Sequence, residues 1–144
     1  MNATKQAPSG IRVIGVGKGW LAVDKPAGMS VHNVPGRDLC SHIAGVVRED
    51  PKLQGMLGID AEFGVNPTHR LDKDTSGVIL LAVTPGMFRF FSRQFESRQA
   101  KKTYIAILHG RLPHPEGESG WGTWNRALSK AAGGRDYPQG PKPR

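Results

Sequence analysis

Residues 77 to 83 read GVILLAV, a continuous apolar run closed on one side by DKDTS and on the other by Thr84-Pro85-Gly86. A short apolar run between turn residues is the pattern of a strand buried on both faces. Val78 to Val83 is therefore expected to be a central strand, and its backbone groups need neighbouring strands to pair with. This confines the chain to folds organised around a sheet. Immediately before the run stand His69, Arg70, Asp72, Lys73 and Asp74. The loop they occupy, residues 68 to 77, is expected at the edge of the sheet, where a rigid strand positions side chains that a ligand can still reach. Its composition is also that of a turn, so Asp72 or Asp74 can equally serve to satisfy loop amides.

The rest of the chain supplies the neighbours. IRVIGVGKGWLAVDKP holds two β-type runs separated by glycines, which predicts a hairpin of Ile11 to Val16 and Trp20 to Asp24, stopped by Pro26. Residues 26 to 38, PAGMSVHNVPGRD, read as a loop. Leu39, Ile43, Val46 and Val47 recur at helical spacing with Asp38 as N-cap. Residues 51 to 68 read as irregular. After Thr84, a second N-cap, Met87, Phe88, Phe91 and Phe95 form a helical stripe while Arg89, Arg93 and Arg98 point elsewhere. KTYIAILHG, residues 102 to 110, reads as a further strand. Residues 1 to 10 are expected to be a flexible leader, and beyond Gly110 the chain turns rich in Gly, Pro, Lys and Arg. There is no internal repeat.

The 144 residues suit one domain of ordinary size. Twenty Lys and Arg against twelve Asp and Glu give a formal charge of +8, which favours an anionic partner such as nucleic acid, although the same charge also serves solubility. A lone Cys40 excludes an intrachain disulfide and suits a reducing compartment. The first ten residues contain no apolar signal-peptide core, and no run approaches the ~20 apolar residues of a membrane span. A soluble, cytoplasmic protein with no membrane partner is expected.

Three segments in order carry a resemblance. HRLDKDTSG, residues 69 to 77, is similar to the signature of the RluA-like branch of the pseudouridine synthases, which isomerise uridine in RNA to its carbon-linked isomer. WLAVDKPAGMSVH resembles the family's early lysine-proline-glycine segment, and KKTYIAILHG its tyrosine-bearing strand. Residues 20 to 110 are covered well, with a weaker continuation beyond. The resemblance implies an α+β fold, a mixed, largely antiparallel sheet with flanking helices. It implies Asp72 as the catalytic aspartate, Arg70 as the arginine that helps hold the target nucleotide out of its stack, and Tyr104 as the tyrosine packed against the target base. It implies no metal and no organic cofactor, and ribosomal or transfer RNA as substrate and partner. Family members continue with further strands and a second, TGRxHQIR-like motif that this sequence does not contain. Residues 11 to 144 are accordingly expected to be the N-terminal portion of the catalytic domain.

The chemistry asks for such residues. Asp72 can attack the anomeric carbon, or remove a ribose proton so that the sugar passes through a glycal; the residues leave both open. If the motif is extended, Arg70 shares a side with Asp72 and can steady it, meet phosphate, or fill the gap left by a flipped base. Tyr104 offers a flat face for the base, or else is an ordinary strand tyrosine. Lys25 and Lys102 are read as exposed lysines and stay outside the site. GVGKG lacks the spacer and the hydroxyl residue of a phosphate loop, and His32, Cys40 and His42 match no usual zinc spacing. Two further readings stand: a noncatalytic RNA-binding fragment of such an enzyme, and a glycoside hydrolase using Asp72 and Asp74, which on an extended strand would lie roughly 6.6 Å apart on one face.

Overall fold

The computed structural model describes residues 5–6, 10–107 and 109. Its elements are β1 (Lys5–Gln6), β2 (Arg12–Gly17), β3 (Trp20–Lys25), α1 (Leu39–Glu49), α2 (Pro51–Leu57), β4 (Asn66–Pro67), β5 (Gly77–Ala82) and α3 (Pro85–Glu96). The strands form one sheet in the order β1-β2-β3-β5-β4, and every pairing is antiparallel. The expected α+β class, an antiparallel sheet with flanking helices, is what the residues build. Two residues within the expected leader, Lys5 and Gln6, pair with Arg12 and Val13 of β2.

The β2–β3 hairpin turns at Lys18-Gly19. Gly19 has φ +82, and a Cβ there would lie 2.6 Å from Met87 Cγ and 2.7 Å from Thr84 Oγ1. Only glycine fits. The Gly19 N–H donates to Leu57 O at 2.7 Å and its carbonyl accepts from Val83 N at 2.9 Å, so this one turn locks the hairpin to the end of α2 and to the end of β5.

The core lies on one face of the sheet. Val13, Leu21, Val23, Ile79, Leu81 and Val83 cluster with Leu39, Ile43 and Val47 of α1 and Leu57 of α2. The α1 residues recur every four positions, which brings them onto one side of the helix. Asp38 caps α1 as expected, accepting from Ser41 N at 2.8 Å, and its second oxygen accepts from Val34 N at 2.8 Å. That carboxylate therefore shapes the preceding loop as well as the helix.

Three expectations need correction. Residues 51 to 57, read as irregular, are helical: Asp50 accepts from Lys52 N and Leu53 N, Pro51 stands in the first turn, and Gly58 closes the helix at φ +56. Those are start and stop signals, but two turns offer too few apolar positions for a periodicity to register. The apolar run of β5 is covered on both faces only toward its C-terminal end, where Leu80 is half-buried and Ala82 fully buried. Ile79 and Leu81 are fully buried, whereas Val78 is 54% exposed. Val78 lies opposite Asp24, whose carboxylate accepts from Arg12 Nη2 at 3.0 Å, so this end of the outer face is occupied by a solvated ion pair. Finally, residues 101 to 107 form no regular element. A strand exists only through pairing, and all of residues 101 to 107 are exposed, Ile105 and Ile107 at 99% and 100%, so neither face of the segment is buried.

The helix expected after Thr84 forms, with Thr84 as cap, and its stripe lies on the outer face: Phe91 meets Trp20 edge-on at 6.1 Å, Phe88 meets Phe63 at 5.9 Å, and Phe95 meets His69 at 4.5 Å. Residues Tyr104–Arg144 fall to a second unit, separate from Met1–Thr103.

Candidate active site

The loop from Thr68 to Gly77 is fastened at four places. At its start, Thr68 donates to Leu80 O through both its N–H (3.1 Å) and its Oγ1 (2.9 Å). The Leu80 N–H donates to Nε2 of His69 at 3.1 Å. Threonine and histidine thus extend the pairing begun by Asn66 and Pro67 of β4. Next, Leu71 enters the core cluster while Arg70 and Asp72 on either side are exposed. The alternation sends the apolar side chain inward and both charged ones outward. A turn follows, with the Thr75 N–H donating to Asp72 O at 3.1 Å. Gly77 ends the loop at φ +133, a conformation that other residues adopt only under strain, opposite Lys25 in the β3–β5 ladder.

Lys25 corrects the reading of it as an exposed lysine. It is fully buried, and its Nζ donates to three carbonyls: Pro26 at 2.9 Å, Met29 at 2.8 Å and Lys73 at 3.0 Å. Burial lowers its pKa, and the charges of Asp74 and then Asp72 act in the opposite direction. A signal was available: Leu21, Val23 and Lys25 alternate along β3, so the lysine belongs to the core face.

The side chains of Arg70 and Asp72 make no hydrogen bond or ion pair among the described residues. They share one loop and one exposed side, open to a ligand. Lys73 and Asp74 lie in the turn rather than on an extended strand, which removes the geometry behind the two-carboxylate spacing. Burial, and then the nearby charge of Lys102, lower the pKa of His69 and so favour the neutral ring. Because Nε2 accepts from a backbone N–H, the proton of the neutral ring sits on Nδ1. Lys102 Nζ lies 5.3 Å from the centroid of Phe95, the ring that also contacts His69. Tyr104 lies in the second unit and is 58% exposed. Cys40 packs against the core, and burial pushes its thiol up to about 12. Among the described residues no group of three or more His, Cys, Asp or Glu could hold a metal ion. Among them, too, no helix is long and apolar enough to cross a membrane.

The antiparallel sheet thus presents an exposed carboxylate and an exposed arginine on an anchored loop. Residues 19–137 match the family model described as RNA pseudouridylate synthase, and the chain belongs to that family. It is 32% identical over 97 residues to the uncharacterized RNA pseudouridine synthase YlyB of Bacillus subtilis, with 67% of this chain and 31% of the relative covered. It is 39% identical over 92 residues to tRNA pseudouridine synthase C of Pasteurella multocida, covering 64% and 34%. It is 38% identical over 98 residues to the dual-specificity RNA pseudouridine synthase RluA of Yersinia pestis, covering 67% and 42%. The aligned part of the chain thus spans less than half the length of each of these curated relatives.

Proposed function

We propose that this chain carries the carboxylate-bearing part of an RNA pseudouridine synthase active site, with Asp72 as the reacting group and transfer or ribosomal RNA in the cytoplasm as substrate. The observation that carries this reading is the placement of Asp72. Its backbone is tied down by Leu71 in the core and by the Asp72–Thr75 turn, while its carboxylate is exposed and makes no hydrogen bond or ion pair among the described residues. A carboxylate that merely satisfied loop amides would be engaged by them.

In the isomerisation the bond between uracil N1 and ribose C1′ breaks, the base turns, C5 bonds to C1′, and the proton lost from C5 is balanced by one gained at N1. Asp72 serves either by attacking C1′ or by removing a ribose proton. Arg70, exposed on the same loop, meets the phosphate or occupies the space of the extruded base. Tyr104 stacks on the uracil. Flipping the nucleotide costs a few kcal/mol, which backbone and base contacts offset. The charge of +8 supplies the sequence-independent share of RNA attraction.

Asp72→Asn tests the reading. Its isomerisation rate should fall at least about 10³-fold while RNA affinity stays within about 3-fold. Retained turnover would overturn the role of Asp72. If the unaltered protein binds RNA with the expected salt dependence yet converts no uridine at any enzyme concentration, it is a binding module instead.

A further inference from the structure

We propose that Arg89, Arg93 and Arg98, on the side of α3 turned away from the sheet, hold the phosphate backbone of the RNA beside the nucleotide that reacts, an inference that rests on the substrate being RNA. The helix packs through one stripe, in which Phe88 meets Phe63, Phe91 meets Trp20 and Phe95 meets His69. Arg89 and Arg93 stand one turn apart on the opposite side, their Cβ atoms about 5–6 Å from each other. Both are exposed. From Pro85 to Thr103 there are five Lys and Arg against a single Glu96, and none of the three arginines makes an ion pair or a side-chain hydrogen bond among the described residues. A merely solvated helix face is usually laced with charges of both signs.

Arg98 carries an independent sign. Its N–H donates to Phe95 O at 3.2 Å and the Gln99 N–H to Gln94 O at 3.0 Å, the pair of bonds that closes a helix around a residue in the left-handed region. Arg98 occupies that position with φ +56. Glycine takes this conformation without strain and is the usual residue there. An arginine has to be held in it, and its exposed side chain gives the fold no hydrogen bond in return. The attraction of its charge to the carbonyl end of the helix is small and screened by salt.

The arginines are continuous with the candidate site. Phe95, between Arg93 and Arg98 in sequence, contacts His69, the neighbour of Arg70. Lys102 Nζ lies 5.3 Å from the centroid of the same Phe95 ring. A strip of cations therefore starts beside the site loop and runs back along α3, which rises about 9 Å from Phe95 to Arg89. Guanidinium forks match phosphate oxygens, and a strand whose reacting nucleotide sits at Asp72 would lay its next phosphates along such a strip. That continuity selects RNA over an acidic protein as the occupant.

The test is binding of unmodified transfer RNA and ribosomal RNA transcripts across a salt series. It compares the unaltered protein with Arg89→Gln/Arg93→Gln/Arg98→Gln, with Arg98→Gly, and with Arg48→Gln/Lys52→Gln, which removes charge from the helices on the other face of the sheet. The triple variant should bind at least about 10-fold more weakly and flatten the dependence of log Kd on log salt by about 2, against less than about 0.5 for the Arg48/Lys52 variant. At saturating RNA its single-turnover rate constant should stay within about 2-fold of the unaltered protein. A slope change per charge no larger than that of the Arg48/Lys52 variant overturns the proposal. So does a collapsed rate constant, which would put the arginines in the reaction itself. Arg98→Gly decides even if the triple variant does not fold: it should melt at a higher temperature and yet bind RNA more weakly, and a higher melt with unaltered binding overturns the proposal equally. If no protein converts uridine while the slope difference remains, the enzyme reading fails and the α3 surface stands. If the unaltered protein converts uridine and the triple variant binds as it does, the α3 inference fails alone.

Discussion

The two faces of this sheet are built from the same strands and have different fates. On the inner face Leu21, Val23, Ile79 and Leu81 are fully buried beneath α1 and α2. On the outer face Val78 and Ile14 stay exposed, and α3, which packs there through Phe91 and Phe95, contains no fully buried residue. The contrast shows that an apolar side chain in β5 is only as buried as the layer opposite it. It also shows where the candidate site obtains its rigidity. Leu71 and Lys25 are both buried on the inner, closed side, so the exposed Arg70 and Asp72 stand on a loop anchored in the core.

Adjacent residues of β5 offer the sharpest way to break this contrast. Ile79→Ala should cost about 2–5 kcal/mol in denaturant unfolding, whereas Val78→Ala should cost less than about 1 kcal/mol. Equal losses would mean that the outer face is as tightly covered as the inner one. A smaller effect is expected at the edge of the inner layer. Asp38→Ala should cost about 1–2 kcal/mol, because the carboxylate caps α1 and also holds the loop at Val34. Burial, the largest influence on Asp38, would raise its pKa. The N–H groups of Ser41 and Val34, with the Ser41 side chain, outweigh it and hold the carboxyl below its ordinary 3.8. With the folded pKa depressed, this stability is fully present above that value and is lost as the pH falls beneath it; Asp38→Asn should flatten that acid limb.

The smallest effect belongs to the join between the loop and the outer face. Burial and Lys102 keep the folded-state pKa of His69 below the ordinary 6.5. The neutral ring is favoured in the fold, so stability is complete above that value and declines as the pH drops below it. Thermal melts between pH 7 and pH 5 should show a shallow slope that His69→Gln reduces. An unchanged slope would mean that protonation of this ring does not govern the loss of stability on acidification.

Local signals made much of the fold legible. The hairpin, both helix caps and the strand of apolar residues could be read because each depends on neighbours within a few positions: Asp38 before Leu39, Thr84 before Pro85, glycines between β-type runs. The loop bearing Arg70 and Asp72 was legible for the same reason, since an apolar strand directly follows it. What escaped was either too short to show a pattern or non-local. Pro51–Leu57 is too short for its periodicity to stand out. Residues 101 to 107 alternate like a strand, yet alternation does not supply a partner.

Lys25 marks the boundary most clearly. The sequence by itself determined that an arginine and an aspartate would flank an apolar anchor in front of a strand, because charge pattern and turn chemistry are local properties of the chain. Only the tertiary structure decided that a lysine 48 residues away would donate to the Lys73 carbonyl, beside Asp72. The β3–β5 register sets Lys25 opposite Gly77 and gathers three carbonyls from two loops around its ammonium. A buried cation is stable only where such acceptors converge, and convergence is a property of the assembled sheet that no single segment contains.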